Sequence, residues 1–291
     1  MLKVLITGAK GQVGSELAKA VPEGFTVIGL GSSELDISNQ AAVKAAMAKH
    51  QPNLIINAAA YTAVDKAETE IEKAYAVNEQ GVAWLAVAAN EADIPLFHIS
   101  TDYIFDGRAT APYKETDPTN PQSIYGASKL AGEKLLANTL NKHIILRTSW
   151  VFGAVGNNFV KTMLRLGKER DELAVVADQQ GCPTSARSIA EVLWQLTEMY
   201  FKQKDLAWGV YHFSNSPACT WHEFANEIFN QAVVEGLLDK APVVNAITTL
   251  DYPTPAKRPA WSVLEISKLE ALLGKQLASW KPELNQVLQQ L

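Results

Sequence analysis

Cysteine is almost missing: the 291-residue chain has two, Cys182 and Cys219, far apart and without metal-ligand spacing. That excludes a disulfide framework and reads as reduced thiols in an intracellular protein. The five histidines, His50, His98, His143, His212 and His222, form no metal-ligand spacing either, and lone histidines of this kind are usually structural. No run of lysine or arginine occurs, and 26 basic against 31 acidic residues leave a net charge of −5. A nucleic-acid partner held by a basic surface is thereby argued against. No apolar run spans a membrane, and Met1–Gly8 is too short an apolar segment for a signal peptide. Repeats and low-complexity stretches are absent. The expectation is a soluble cytoplasmic globule, long enough for one large α/β domain or two domains around a cleft.

What is present is alternation. Leu2 to Thr7 is an apolar run ending in a glycine turn, followed by helical periodicity from Ser15 to Val21 and a second strand, Phe25 to Leu30. Strand, turn, helix and strand in about thirty residues make a βαβ unit. Helices over 39–50, 71–90 and 124–140 then alternate with strands over 54–57, 95–100 and 143–148. Such spacing predicts a Rossmann-type doubly wound parallel sheet, a dinucleotide-binding domain over residues 1–150. Beyond Trp150 the texture changes to helices over 158–169, 188–202 and 220–236, with short strands over 173–176, 211–213 and 243–246. Pro253, Pro255 and Pro259 precede two last helices, over 265–273 and 282–290. Residues 151–291 are expected to form mainly a smaller α+β substrate lobe, with some segments returning to the first sheet.

Gly8, Gly11 and Gly14 follow the first strand and open a helix, the Gly8-Ala-Lys10-Gly11-Gln12-Val13-Gly14 turn. Glycines let main chain approach a pyrophosphate, and a helix N-terminus offers free N–H groups. The second strand ends Leu30-Gly31 with no acidic residue to take a ribose 2′-hydroxyl, which leaves room for a 2′-phosphate. Lys10 either reaches that phosphate or is a solvated surface lysine. Asp36-Ile37 either accepts from an adenine amino group or supplies a helix N-cap near Ser38. Ala58, Ala59 and Ala60 close the third strand with side chains small enough to lie against a ribose or pyrophosphate, or simply to pack a helix, with Thr62 and Val64 towards the nicotinamide end. The expected cofactor is NADPH, with NADH as the alternative.

Tyr125 and Lys129 stand four residues apart in a helical segment, on one face one turn apart. A nearby cation lowers a phenol pKa from ~10 and makes proton transfer to a substrate oxygen feasible. Thr101 sits at the carboxyl end of a strand, where it either hydrogen-bonds a substrate carbonyl or caps the strand end. The acidic run Asp65, Glu68, Glu70 and Glu72 reads as a solvated helix face.

In this order, Thr7-Gly-x-x-Gly-x-x-Gly14, Asn57–Ala60, Ser100–Tyr103 and Tyr125-x-x-x-Lys129 resemble the extended short-chain dehydrogenase/reductases. Residues 57–68, 100–107, 147–153, 156–159, 178–184 and 253–259 narrow the resemblance to the dTDP-4-dehydrorhamnose reductase family, over residues 1 to about 265. The resemblance implies hydride transfer to the C4 ketone of a dTDP-sugar in the last step of dTDP-L-rhamnose synthesis, which feeds cell-surface polysaccharide. Tyr125 would then be the proton donor, Lys129 the holder of the nicotinamide ribose and Thr101 the anchor of the carbonyl. It also implies a sugar pocket lined by Val64, Asp102, Tyr103 and Trp150, with Trp150 alternatively an interlobe core residue. Arg258 either pairs with the diphosphate or forms a surface salt bridge.

Some family members bind magnesium at a dimer contact through acidic residues soon after the Pro183-Thr184 pair. Arg187 stands here where a glutamate is expected, which puts the magnesium site in doubt; a homodimer is not indicated by the sequence. The same fold also resembles the non-catalytic regulatory subunit of methionine adenosyltransferase, and an epimerase of the extended group is a further alternative. The 4,6-dehydratases carry Asp-Glu after the threonine, whereas Asp102 here precedes Tyr103.

Overall fold

Apolar runs become strands here because the chain buries them on both faces. β1 (Leu2–Thr7), β2 (Phe25–Leu30), β3 (Leu54–Asn57), β4 (Leu96–Thr101) and β5 (His143–Thr148) join Gly209–His212 in one sheet. A computed structural model describing all 291 residues gives the strand order Gly209–His212, β5, β4, β3, β1, β2. Every pairing is parallel. β3 and β5 are buried at every position, as continuous hydrophobic runs in a covered parallel sheet should be. Alternate residues feed two cores: Val4 and Ile6 face one layer of helices, Leu5 the other.

β1 lies between β2 and β3, so the chain reverses direction across the sheet at β1. Such a reversal opens a crevice beyond the carboxyl ends of the flanking strands. Helix α1 (Gln12–Lys19) starts at that crevice, and helix α2 (Gln40–His50) follows β2. The expected helix over 71–90 contains one π turn, Ala76–Gln80, between α-helical stretches Ile71–Tyr75 and Gly81–Glu91. There buried Asn78 bonds Ser128 of the Tyr125 helix at 3.0 Å and both main-chain groups of Tyr61.

The chain after Trp150 serves both regions. Helix Ala186–Gln203 packs on α1, with Trp194 Nε1 donating to the Leu17 carbonyl at 3.0 Å, and Gly209–His212 extends the main sheet beside β5. A second core forms where helices Phe159–Glu169, Trp221–Val234 and Trp280–Leu288 enclose the parallel pair Glu172–Val176 and Val243–Ile247. The helix Ile124–Thr139 is pinned to the sheet by a buried fork: Arg147 of β5 holds Glu133 through Nε and through a terminal nitrogen at 2.7 Å. Both side chains are almost fully buried, and removing one partner of such a pair costs ~3–5 kcal/mol.

Candidate active site

The glycine turn is shaped by contacts that admit no side chain. Gly8 has φ +66°, and a Cβ there would lie 2.6 Å from the Ala59 nitrogen. At Gly14 a Cβ would lie 2.2 Å from the Gly8 carbonyl oxygen. The turn and the Ala58–Ala60 segment are thus pressed together at the crevice between β1 and β3. Gly11 is the N-cap of α1 and no side chain caps it, so the first amides of the helix are left for a ligand. Val13 turns its side chain into the core, which leaves only its main chain towards the turn. Gln12 accepts from Asn158 at 2.9 Å, tying the turn to the later lobe.

The end of β2 departs from the sequence expectation. Glu34, three residues beyond Gly31, folds back to accept from the Gly31 amide at 2.9 Å and pairs with Lys10 at 3.2 Å. A carboxylate therefore stands where none was expected, and the Gly31 amide and Lys10 both hold its pKa below the usual range. Lys10 is exposed but paired. Asp36 does not cap α2; it accepts from the amide and hydroxyl of Ser38, while Asn39 caps the helix by accepting from Ala42 at 3.1 Å. Ile37 is buried in the core and Thr62 is exposed.

Thr101 ends β4, with its hydroxyl donating to Asp102 at 3.2 Å and accepting from the Tyr103 amide at 3.2 Å. Tyr125 and Tyr103 meet edge to face, with centroids 5.5 Å apart. Burial raises the Tyr125 pKa; the neighbouring Thr101 hydroxyl lowers it and Asp102 raises it further. This corrects the expectation that Lys129 lowers it. The Lys129 amine, 1% exposed, points into the sheet, to the Ile99 carbonyl at 2.7 Å and His98 Nε2 at 3.1 Å. Burial brings its pKa down to about 8, against a smaller opposite pull from Glu133. Asp102 is buried with one carboxylate oxygen unpartnered, and burial carries its pKa up to about 7.

On the far side, Arg258 donates to Asp65 at 2.7 Å and reaches the Tyr103 hydroxyl at 3.4 Å. Burial pushes the Tyr103 phenol up to about 12, and Arg258 pulls the other way. The acidic run is therefore only partly a solvated face: Glu72 is exposed and Glu70 pairs at the surface, but Asp65 and Glu68 turn inward. Asp65 holds Arg258, Glu68 accepts from the Ile124 amide at 2.9 Å where the Tyr125 helix begins, and Glu70 pairs with Lys73. Trp150 has φ +48° and stacks on Trp221, centroids 3.5 Å apart, at the seam with the second core. Val64 is half-buried at the start of the short helix Val64–Ala67. The two cysteines are buried thiols, with pKa values pushed up to about 11 at Cys182 and about 12 at Cys219.

The RmlD substrate binding domain family matches residues 2–291. A dTDP-4-dehydrorhamnose reductase of Aggregatibacter actinomycetemcomitans is 50% identical, covering 99% of this chain and 98% of its own. The chain belongs to the dTDP-4-dehydrorhamnose reductase family. Two solved members superpose with TM-scores of 0.90: one from Clostridium acetobutylicum, 41% identical over 98% of both chains, and one from Bacillus anthracis, described in complex with NADP, 38% identical over 99% of both.

Family membership leaves several side chains around the site to be found in the structure. Asn57, His98, Glu34, Asp65 and Glu68 were not assigned to it from sequence. His98 carried one usable signal, lying two residues before Ser100 on the strand that delivers Thr101. Asp65 and Glu68 approach through long-range contacts that no local spacing encodes.

Proposed function

We infer that this chain is a nicotinamide-dependent reductase that converts dTDP-4-dehydro-L-rhamnose to dTDP-L-rhamnose in the cytoplasm. One observation carries the reading: Thr101 at the carboxyl end of β4 and Tyr125, whose ring meets Tyr103 edge to face, come together beside a glycine turn. The turn fits a dinucleotide, because its glycines hold the main chain close and the first amides of α1 carry no side-chain cap. The amides of Gln12, Val13 and Gly14 would hold its pyrophosphate, Ala58–Ala60 its ribose path, and Thr62 and Val64 its nicotinamide end. Asp36 and the Ile37 main chain would hold the adenine. When bound, NADPH would supply the hydride chemistry needed at the C4 carbon of the ketone.

The chain's own residues supply the proton. Thr101 orients the ketone oxygen by donating to it, and Tyr125 gives its phenolic proton to the alkoxide that forms. Burial keeps Tyr125 in its phenol form, and the alkoxide that forms is a far stronger base than a phenolate, so the proton transfer runs downhill. Asp102, Tyr103 and Trp150 wall the sugar, and Arg258, already oriented by Asp65, faces the diphosphate.

Lys10 and Glu34 pair at the end of β2, where a dinucleotide's adenine ribose would lie, a cation suited to a 2′-phosphate and a carboxylate suited to a 2′-hydroxyl. That pairing supports use of NADPH with NADH also accepted. Magnesium does not suit this chain. Arg187 is bound to Glu191 at 2.8 Å and lines a small cavity with Glu16 and Glu283, so a guanidinium already supplies the positive charge there. No step depends on a metal, and a dimer built on one is not proposed.

The test follows NADPH absorbance with dTDP-4-dehydro-L-rhamnose, with magnesium or chelator added. Stoichiometric oxidation yielding dTDP-L-rhamnose, indifferent to chelator, is expected. NADPH binding without oxidation would point first to another keto-sugar nucleotide as substrate and second to a non-catalytic dinucleotide-binding role.

A further inference from the structure

Trp150 holds a backbone conformation that a bulky residue rarely adopts, with φ +48°. Such a conformation costs energy and persists only where the surroundings fix it. Main chain fixes the segment: the Thr184 amide donates to the Trp150 carbonyl at 3.1 Å, and Val151–Phe152 pairs in parallel with Thr184–Ser185. The Ser149 hydroxyl donates to the Cys182 carbonyl at 3.0 Å. Gly181 leaves the indole its room, since a Cβ there would lie 2.6 Å from Trp150 Nε1. The face of the indole is covered by Trp221, with the two ring planes 7° apart.

A short pairing brings Trp221 there. Cys219–Thr220 runs antiparallel to Gln180–Gly181, with Cys219 opposite Gly181. Thr220 then closes a capping box with Glu223, so Trp221 is the first residue of the helix Trp221–Val234. Phe159 packs on Trp221 with centroids 4.7 Å apart, rooting it in the second core. Trp150 has no other aromatic partner. Its Nε1–H finds no acceptor in the protein, whereas those of Trp194, Trp261 and Trp280 donate to carbonyls. Trp150 comes two residues after Thr148, which is in register with Thr101, so it stands beside the strand end that carries Thr101.

We propose that Trp221 is a positioning residue that holds the Trp150 indole as a fixed wall of the sugar site, acting through Trp150 and not on the substrate. The proposal rests on the reductase reading, in which Trp150 walls the sugar. Without Trp221 the indole loses the one aromatic face that fixes its rotamer. An apolar wall meets substrate and transition state alike, so loosening it weakens sugar-nucleotide binding more than it slows the chemical step.

The test combines indole 15N–1H NMR on the full chain with kinetics, the Trp150 signal being identified by its loss in Trp150→Leu. In Trp221→Leu the Trp150 signal is expected to split or broaden, while those of Trp84, Trp194, Trp208 and Trp261 stay in place. KM for dTDP-4-dehydro-L-rhamnose should rise ~10-fold with kcat within ~threefold of the parent, and NADPH affinity should not change. Trp221→Phe keeps a smaller ring face and should raise KM only ~threefold. The double variant Trp150→Leu/Trp221→Leu should have a KM no higher than Trp150→Leu alone. Additive losses, an unaltered KM or a single sharp Trp150 signal in Trp221→Leu would each overturn the proposal. Should Trp221→Leu not fold, the same double-variant comparison is made with Trp221→Phe, and additivity is again the overturning result. An unmodified protein that never oxidises NADPH would reject the reductase reading, and the Trp150 signal would still decide whether Trp221 fixes the indole.

Discussion

The two walls of the cleft are built from different material. The cofactor wall is main chain: Gly8 against Ala59, Gly14 against Gly8, and the uncapped start of α1. The proposed substrate wall is side chain: Thr101, Asp102, Tyr103, Tyr125, Trp150 and Arg258, drawn from separate parts of the sequence. Main chain recognises what all dinucleotides share, a pyrophosphate, and it fails only when an atom is added. Side chains recognise what is particular to one substrate and fail when an atom is removed or its charge changes.

The sharpest way to separate the walls is to take one oxygen from the substrate side. Tyr125→Phe is expected to lower turnover ~100- to 10,000-fold while NADPH affinity, read by fluorescence titration, stays within about twofold. Wild-type turnover would remove Tyr125 as the proton donor.

Asp102 tests the cost of burying charge on that same wall. Its folded pKa of about 7 lies above the ordinary 3.8, so the folded protein holds the proton more tightly than the unfolded chain. Its contribution to stability is full at low pH and is lost as pH rises from the unfolded value through about 7. Asp102→Asn should therefore gain stability over the parent as pH rises across that window, by up to ~4 kcal/mol. Parallel denaturation curves at each pH measure this, and a constant difference would show that Asp102 titrates normally.

Adding one carbon probes the opposite wall. Gly14→Ala puts a methyl group into the Gly8 carbonyl and should cost ~1–3 kcal/mol of stability. NADPH affinity should fall at least ~10-fold, read by the same titration. Unchanged affinity would mean the turn is not the cradle.

The smallest effect concerns the one place where the cofactor wall uses side chains. Lys10→Met should weaken NADPH binding by ~2- to 5-fold with little change for NADH, as expected for an exposed charge. Equal weakening of both would sever Lys10 from the 2′-phosphate.

Much of this architecture was legible without coordinates, because it rests on short-range pattern. Five strands of the main sheet, the glycine turn and the Tyr125–Lys129 spacing are local, set by periodicity and by what a helix or strand does to neighbouring residues. Family membership follows from the same motifs. Partners distant in sequence were not legible. Glu34 reaching back to Lys10, Asp65 clasping Arg258 and Glu68 at the start of the Tyr125 helix overturned local readings of solvated or missing carboxylates.

The direction of the Lys129 side chain shows the division most clearly. Spacing put Lys129 one helical turn from Tyr125 and suggested a cation acting on a phenol. Only the packing of that helix on β4 decided that the amine enters the sheet and meets His98, itself held by an asparagine from the next strand. Helical spacing states which residues share a face. Burial, and the obligation to give every buried donor an acceptor, decides what that face touches.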